Sequence, residues 1–95
     1  MALFGGASTA ATGTITSNTA SLISFLDVKR FVLVSNQSGQ KCYCKINDAA
    51  SPVVSSTVYD FVLADGGTFA IDDVEVTNIS VYVAATSGVR VVGWD

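Results

Sequence analysis

Carboxylates are the side chains of this 95-residue sequence best placed to do chemistry, because the chain contains no histidine. The densest acidic group is Asp72, Asp73 and Glu75, which offers ligands for a Ca²⁺ ion or an acid/base pair. In a strand, however, Asp72 and Asp73 would point to opposite sides of the sheet and could not share a site. We therefore expect a solvated turn here that ends one strand and begins another, with an ion site as the alternative.

Cys42 and Cys44 are the next candidates. At positions i and i+2 of a strand they face the same side, where they serve as small buried side chains. A metal site needs more ligands than two sulfurs, and a Ser-His-Asp or Cys-His arrangement needs a histidine. Gly66-Gly67 is not a phosphate loop, because neither a helix nor a lysine follows it. We therefore predict that the protein is not an enzyme and that it holds no metal and no cofactor.

Three aromatic residues, Tyr43, Tyr82 and Trp94, lie opposite the expected core faces of their strands. Exposed aromatic rings anchor protein interfaces and bind sugar rings. The alternative is that one or more of them belongs to the core. For Trp94, burial within its own domain and burial under a neighbour are equally compatible with the sequence.

The charge pattern excludes several partners. The net charge is −3, and the five cations are scattered, which disfavours nucleic acid and an anionic membrane surface. Lys29-Arg30 precedes the first clear strand, where it keeps an edge soluble or, alternatively, docks an acidic neighbour. Charged residues make up 14% of the chain, against about 25% in typical soluble domains. We therefore expect part of the surface to be covered by partner subunits.

The elements that position these residues begin after an unusual first segment. From Gly5 to Ser21, fifteen of seventeen residues are Ala, Ser, Thr or Gly. Such a segment buries too little apolar surface to order by itself, so it is either a floppy tail or an arm that orders against a neighbour. We predict an extended arm over residues 1–21, which makes contacts through Leu3, Phe4, Thr14 and Ile15. The first residues lack the features of a secretory signal, and no apolar run is long enough to span a bilayer, so we expect synthesis in the cytoplasm.

Residues 22–95 are expected to form one all-β domain, because hydrophobic residues alternate with the period of strands and turn residues recur at about ten-residue intervals. The predicted strands are 31–34, 41–46, 58–63, 68–71, 79–83 and 89–94, and the first two are expected to pair as a hairpin. The pattern favours a single antiparallel β-sandwich of jelly-roll type, with an immunoglobulin-like sandwich or a small barrel as alternatives. The predicted core consists of Phe31, Leu33, Cys42, Cys44, Ile46, Phe61, Leu63, Phe69, Ile71, Val81 and Val83.

The turns and strands also follow a recognisable order along residues 28–95. A strand ends in Asn36-Gln37-Ser38-Gly39, a second strand follows, and after a long loop comes Asp65-Gly66-Gly67. The chain then closes with the segment 79–94, which begins Ile-Ser-Val-Tyr-Val. This arrangement resembles the small β-sandwich virion proteins of tailed bacteriophages, in which such modules serve as capsid decoration, or cement, proteins.

The resemblance implies a homotrimer on the outer surface of the capsid, where the major capsid protein and sister subunits would be its partners. It implies no catalytic residues. A tail, fibre or head–tail connector subunit is the first alternative. A glycan-binding module that uses Tyr43, Tyr82 or Trp94 is an alternative of another class.

Overall fold

The structure is a computed structural model that describes residues 8–94. Six strands are present in this part of the chain: β1 (Thr9–Ala10), β2 (Ser21–Asn36), β3 (Cys42–Ile46), β4 (Phe61–Leu63), β5 (Thr68–Val83) and β6 (Val89–Trp94). Residues 8–94 contain no helix, and therefore none that could cross a membrane. The prediction of an all-β chain is confirmed for these residues.

All six strands belong to one antiparallel sheet, in the order β1-β6-β2-β5-β3-β4. The antiparallel part of the fold prediction is thus confirmed. A sandwich of jelly-roll type is not confirmed, because hydrogen bonds connect the six strands into a single sheet.

Two long strands, β2 and β5, divide this sheet into two halves. Each has sixteen residues, and their pairing shifts register between Ser24 and Lys29 and again between Lys29 and Phe31. On one side of these register shifts, residues 31–36 of β2 lie between β6 and residues 68–72 of β5. We call this part of the sheet the β6 half. On the other side, residues 79–83 of β5 pair with β3, which also pairs with β4. We call that part the β3 half.

The predicted strand break at Asp72-Asp73 is wrong, because β5 runs without interruption through both residues. Asp73 takes a positive φ of 62°, a conformation that aspartate tolerates better than most residues. It lies where the register changes, so the local signal for a turn marks a bulge inside a long strand.

One contiguous core is filled from both halves of the sheet. From the β6 half it contains Val32, Val34 and Val91. Ile23 of β2 and Ile79 and Val81 of β5 complete it from the rest of the long strands. Most of the predicted core is confirmed as buried: Cys42, Cys44, Leu63, Ile71, Val81 and Val83. Ile46 and Phe61 are partly buried and pack against this core.

The predicted direction of the first strong strand is wrong. Val32 and Val34 are fully buried, whereas Leu33 is 36% exposed and Phe31 is half-buried on the opposite side. All four residues are apolar, so alternation could not indicate which side faces the core. Phe69 is also outside the core, with 40% of its surface exposed, although its ring stacks on that of Phe61 at 4.2 Å between centroids.

The connections between strands also differ from the expected hairpins. β2 does not pair with β3, because β5 lies between them. Similarly, β5 and β6 flank β2, and the residues between them form a crossover connection. The turn around Gly66 is present, with a positive φ of 83°, but it leads from β4 to the non-adjacent β5. The third predicted strand is shorter than expected and begins at Phe61.

A buried asparagine fixes the end of β2. The Asn36 side-chain amide donates to the carbonyl oxygens of Gln40, Leu63 and Ala64 at 2.7–3.2 Å. Its side-chain oxygen accepts from the backbone N–H of Ser38 at 3.1 Å. These bonds connect the loop after β2 to the turn after β4.

The described part of the predicted arm, residues 8–20, contacts the sheet of its own chain. Thr9 and Ala10 pair with β6, and the N–H of Ala11 donates to the carbonyl of Val91 at 2.9 Å. Thr12 then bridges to Ser24 of β2. The boundary between an arm and a domain at residue 21 stays a prediction.

Candidate interaction surfaces

The β6 half carries an apolar surface on the side of the sheet that faces away from the core. Leu33 lies opposite Val92 of β6 and opposite Ala70 of β5. Cross-strand partners project on the same side, so these three residues form a row across three strands. Leu33 and Ala70 are exposed, and Val92 is half-buried. We call this row, together with Phe31 and Trp94 beside it, the outer apolar face.

Phe31 and Trp94 form one end of the outer apolar face. They are cross-strand partners, and their ring centroids are 5.4 Å apart at an interplanar angle of 60°. This tilted arrangement is typical of favourable aromatic pairs. Trp94 is half-buried, so the structure places this predicted interface residue on the outward side of β6, in contact with Phe31.

Two opposite charges lie at diagonal corners of the same surface. Arg90 on β6 is the cross-strand partner of Ser35, and Asp72 on β5 is the cross-strand partner of Phe31. The two charges therefore lie on opposite sides of β2 and at opposite ends of the surface. Both side chains are exposed, and neither forms an ion pair within residues 8–94. The outer apolar face is therefore bordered by a positive and a negative corner.

The corresponding side of the β3 half is covered in part by the chain itself. Residues 47–60 form a loop over the outward side of β5, where Ser80 is fully buried and Val54 of the loop is 2% exposed. Val54 lies outside the main core cluster, so the loop makes a small second packing layer. Around Ser80 the chain therefore supplies its own cover, whereas Val62 on β4 stays 41% exposed.

Asp48 fixes that loop to the sheet. Its carboxylate accepts hydrogen bonds from the Ser80 hydroxyl at 2.7 Å and from the backbone N–H groups of Ala49, Val53 and Val54 at 2.8–3.2 Å. Burial by itself raises the pKa of the Asp48 carboxyl, but these four donors together lower it below its ordinary value. Asp48 could not be predicted as a fixing residue from the sequence, because an aspartate in a loop is usually solvated.

Three tyrosines cluster at the outer edge of the β3 half. The Tyr43 ring centroid is 5.2 Å from that of Tyr59 and 6.4 Å from that of Tyr82. Tyr59 is 45% exposed, and the other two are half-buried. The structure thus brings the predicted residues Tyr43 and Tyr82 together and adds Tyr59, which the sequence placed inside a strand. The rings are tilted by 51° and 59°, so they do not form a flat platform.

The adjacent cations Lys29 and Arg30 lie in different environments. Lys29 is 5% exposed, and its side chain passes over Gly93, where an added Cβ would lie 2.6 Å from the lysine Cγ. Arg30 is on the surface and forms a 3.0 Å ion pair with Glu75. Arg30 is thus the member of this predicted pair that a neighbour can reach.

The remaining candidates for chemistry do not assemble into a site within the described residues. Residues 8–94 hold no group of three or more acidic, cysteine or histidine side chains placed to bind a metal ion. Cys42 and Cys44 are buried with their sulfurs 3.6 Å apart. The contact between the two sulfurs, together with burial, raises the pKa of the Cys44 thiol, while the same contact lowers the pKa of the Cys42 thiol. Their burial side by side agrees with the packing role expected from their spacing.

The predicted contact residues of the arm are only partly described. Leu3 and Phe4 lie outside the described residues. Thr14 is exposed, whereas Ile15 is half-buried and packs against the core of its own chain.

The outer apolar face was not predicted from the sequence, although the sequence contains a signal for it. The run 31–34 is apolar on both sides of the strand, which is typical of a strand covered on both faces.

A search of this chain against protein-family models, curated proteins and solved structures finds no match.

Proposed function

We propose that this protein is a non-catalytic structural subunit that joins a larger assembly through its outer apolar face. The observation that carries the proposal is the row of Leu33, Ala70 and Val92, which extends across three strands without a covering segment from residues 8–94. In the β3 half, the same chain covers the outward side around Ser80 with its own loop. A partner that covers the row would remove apolar surface from water, which is the main driving force of association.

The more specific proposal is a bacteriophage capsid decoration protein on the virion surface. It is supported by the resemblance of residues 28–95 to such proteins, by the low content of charge, and by the antiparallel all-β fold. The partners in this proposal are the major capsid protein and sister subunits, and the homotrimer and jelly-roll sandwich of the resemblance remain part of it. A protein that binds only the mature shell stabilises that state in proportion to the free-energy gain of binding.

Co-sedimentation with capsid shells that lack the protein tests this proposal. Wild-type protein should bind at a fixed ratio to the major shell protein, whereas Leu33→Asp should lose binding. Val62→Asp is the matched control, because Val62 is 41% exposed on β4, outside the outer apolar face. If wild-type protein fails to bind intact shells, the decoration role is excluded, and isolated tails and fibres become the next targets.

The arm is tested separately by deletion of residues 2–7, which leaves the β1 pairing and the Ile15 contact in place. We expect the far-ultraviolet circular dichroism to be unchanged and attachment to shells to weaken. Unchanged binding after this deletion would show that Leu3 and Phe4 take no part in attachment.

The tyrosine cluster supports a second candidate, a glycan-binding module. Tyr43, Tyr59 and Tyr82 present aromatic rings on one partly exposed surface. Titration with a broad panel of sugars, followed by tyrosine fluorescence, tests this candidate. A saturable change that Tyr59→Ala abolishes would support it, and an unchanged signal across the panel would exclude it.

A further inference from the structure

We propose that a polar pocket beside the outer apolar face binds a carboxylate group, and that this carboxylate belongs to an acidic side chain of the shell partner. The contact rests on the proposed role as an assembly subunit, because the same partner would cover both the pocket and the outer apolar face. It adds to that role the chemical group that the partner must place next to its apolar contact.

The pocket has a volume of about 470 Å³ and lies where β2 ends and β6 begins. It is lined by Ser35, Gln37, Gly88, Val89 and Arg90. Ser35 and Arg90 are cross-strand partners, so their side chains project on the same side of the sheet. That side is the outward one, because Leu33 precedes Ser35 by two residues on β2. The pocket therefore opens next to the outer apolar face.

Close backbone contact between two loops shapes the pocket. Gln37, which follows β2, donates its backbone N–H to the carbonyl oxygen of Gly88, which precedes β6, at 2.7 Å. Gly88 has a positive φ of 95°, and a Cβ added there would lie 2.6 Å from the Cα of Ser38. Glycine therefore allows the two loops to approach this closely. The walls of the pocket are thus set by the backbone, which gives the side chains that line it a fixed frame.

Three side chains that can donate hydrogen bonds line this pocket without a partner from residues 8–94. The Arg90 guanidinium forms no ion pair with any of these residues, whereas the Arg30 guanidinium pairs with Glu75 at 3.0 Å. The Ser35 hydroxyl and the Gln37 side-chain amide form no hydrogen bond within the same part of the chain. A positive charge and two neutral donors thus converge on one concave site, which is the arrangement of a binding pocket for an anion.

The donor set fits a carboxylate better than other anions. A guanidinium presents two parallel N–H groups that match the two oxygens of a carboxylate. Ser35 and Gln37 can donate further hydrogen bonds to the same oxygens. A phosphate group carries up to about two negative charges at pH 7. Arg90 by itself would leave one of them uncompensated, in a chain whose net charge is −3.

The position of the pocket indicates the source of the carboxylate. A protein that covers Leu33 and Val92 also reaches Ser35 and Arg90, which are the next outward residues on the same two strands. Such a partner would exclude water from the pocket. A partner surface without an acidic side chain at this point would bury the Arg90 charge alone, which is strongly unfavourable. We therefore expect the shell partner to place an aspartate or a glutamate in the pocket.

Co-sedimentation of pocket variants with capsid shells tests the contact. Arg90→Gln should raise the dissociation constant at least about tenfold, because the partner carboxylate would be buried without its countercharge. Arg90→Lys keeps the charge but lacks the two parallel donors, so its loss should be smaller. Lys41→Gln is the matched control, since Lys41 is an exposed cation that does not line the pocket. It should bind shells as wild type does. Thermal unfolding of each variant shows whether the fold is retained.

Two results of this experiment would overturn the proposal. Shell binding unchanged by Arg90→Gln would exclude the carboxylate contact and leave the proposed function in place. Equal losses for Arg90→Gln and Lys41→Gln would show general attraction between opposite charges, and not a contact in the pocket.

Titration of the full chain with sodium acetate tests the pocket without shells, and sodium chloride controls for ionic strength. The backbone amide NMR signals of Ser35, Gln37 and Arg90 should shift to saturation with acetate, and Arg90→Gln should abolish these shifts. No shift, shifts that persist in Arg90→Gln, or tighter binding of inorganic phosphate would each overturn the proposal. If acetate binds but wild-type protein does not bind shells, the pocket stands as a carboxylate site, the proposed function fails, and the assignment to a shell side chain fails with it.

Discussion

The two halves of the sheet differ in how their outward sides are covered. In the β3 half, residues 47–60 cross the sheet, Asp48 bonds to Ser80, and Val54 is removed from water. In the β6 half, the apolar row centred on Leu33 receives no such loop from residues 8–94. Both halves share the strands β2 and β5, so the difference arises from the connections and not from the strands.

This difference separates intrinsic stability from interaction. A loop fixed by four hydrogen bonds to one carboxylate contributes to the folded state of the isolated chain. An exposed apolar row contributes little to that state and becomes favourable when a partner covers it. Substitutions in the β3 half should therefore change the free energy of unfolding, and substitutions in the outer apolar face should change association.

The largest effect is expected at the anchor of the covered side. Asp48→Ala removes the acceptor of the Ser80 hydroxyl and of three backbone N–H groups, which leaves the buried donors of Ser80 and Val54 without partners. We expect the free energy of unfolding to fall by about 3 kcal/mol. Urea denaturation measures this loss. A loss below about 1 kcal/mol would show that the loop does not stabilise the domain.

Adjacent residues of β2 test the assignment of the two faces. Val34 is fully buried and Leu33 is 36% exposed, although both are aliphatic. Val34→Ala should cost about 2 kcal/mol through a cavity in the core, and Leu33→Ala should cost less than about 1 kcal/mol. Chemical denaturation at a concentration where the protein is monomeric compares them. The opposite ranking would restore the face assignment that the sequence predicted.

The pH dependence of stability isolates the charge on Asp48. Because its folded pKa lies below the ordinary value of 3.8, the ionised carboxylate stabilises the folded state. This contribution is fully present above the unfolded pKa and is lost as the pH falls through the lower folded pKa. Below about pH 4, wild-type protein should therefore lose stability more steeply than Asp48→Asn. Parallel curves for the two proteins in urea denaturation would contradict this assignment.

The smallest effect is expected at the boundary between the halves, where Arg30 and Glu75 form an exposed ion pair. Glu75→Gln should change the free energy of unfolding by no more than about 0.5 kcal/mol, and added salt should reduce that difference. Thermal unfolding at low and high salt measures it. A much larger effect would show that this pair fixes the bend of β2 against β5.

Pattern alone could predict much of the fold but not the path of the chain. Cys42 and Cys44 alternate cleanly with polar neighbours, and their burial followed from that alternation. The run 31–34 has no polar neighbours, so its direction could not be predicted. At Asp72-Asp73 a turn signal was present, but the pairing of β5 with β2 on both sides carries the strand through it. Tertiary pairing outweighs local preference in such cases.

The candidate surfaces also divide into residues that the local pattern could predict and residues that only long-range pairing brings together. Tyr43, Tyr82 and Trp94 could be placed outside the core because each alternates with buried residues. The partners of Leu33 could not be found, since Ala70 and Val92 come from strands distant in sequence. Similarly, nothing near Asp48 in the sequence indicates Ser80, which lies 32 residues away.

By itself, the sequence determined an all-β chain with buried cysteines and without a histidine for catalysis, because side-chain alternation and composition are local properties. Only the tertiary structure decided that the six strands form one sheet, that β5 separates β2 from β3, and that a loop covers Ser80 while no segment of residues 8–94 covers the row centred on Leu33. The physical reason is that these features depend on hydrogen bonds between segments distant in sequence. Which distant segments pair depends on the loops that the whole chain must close, and not on local pattern.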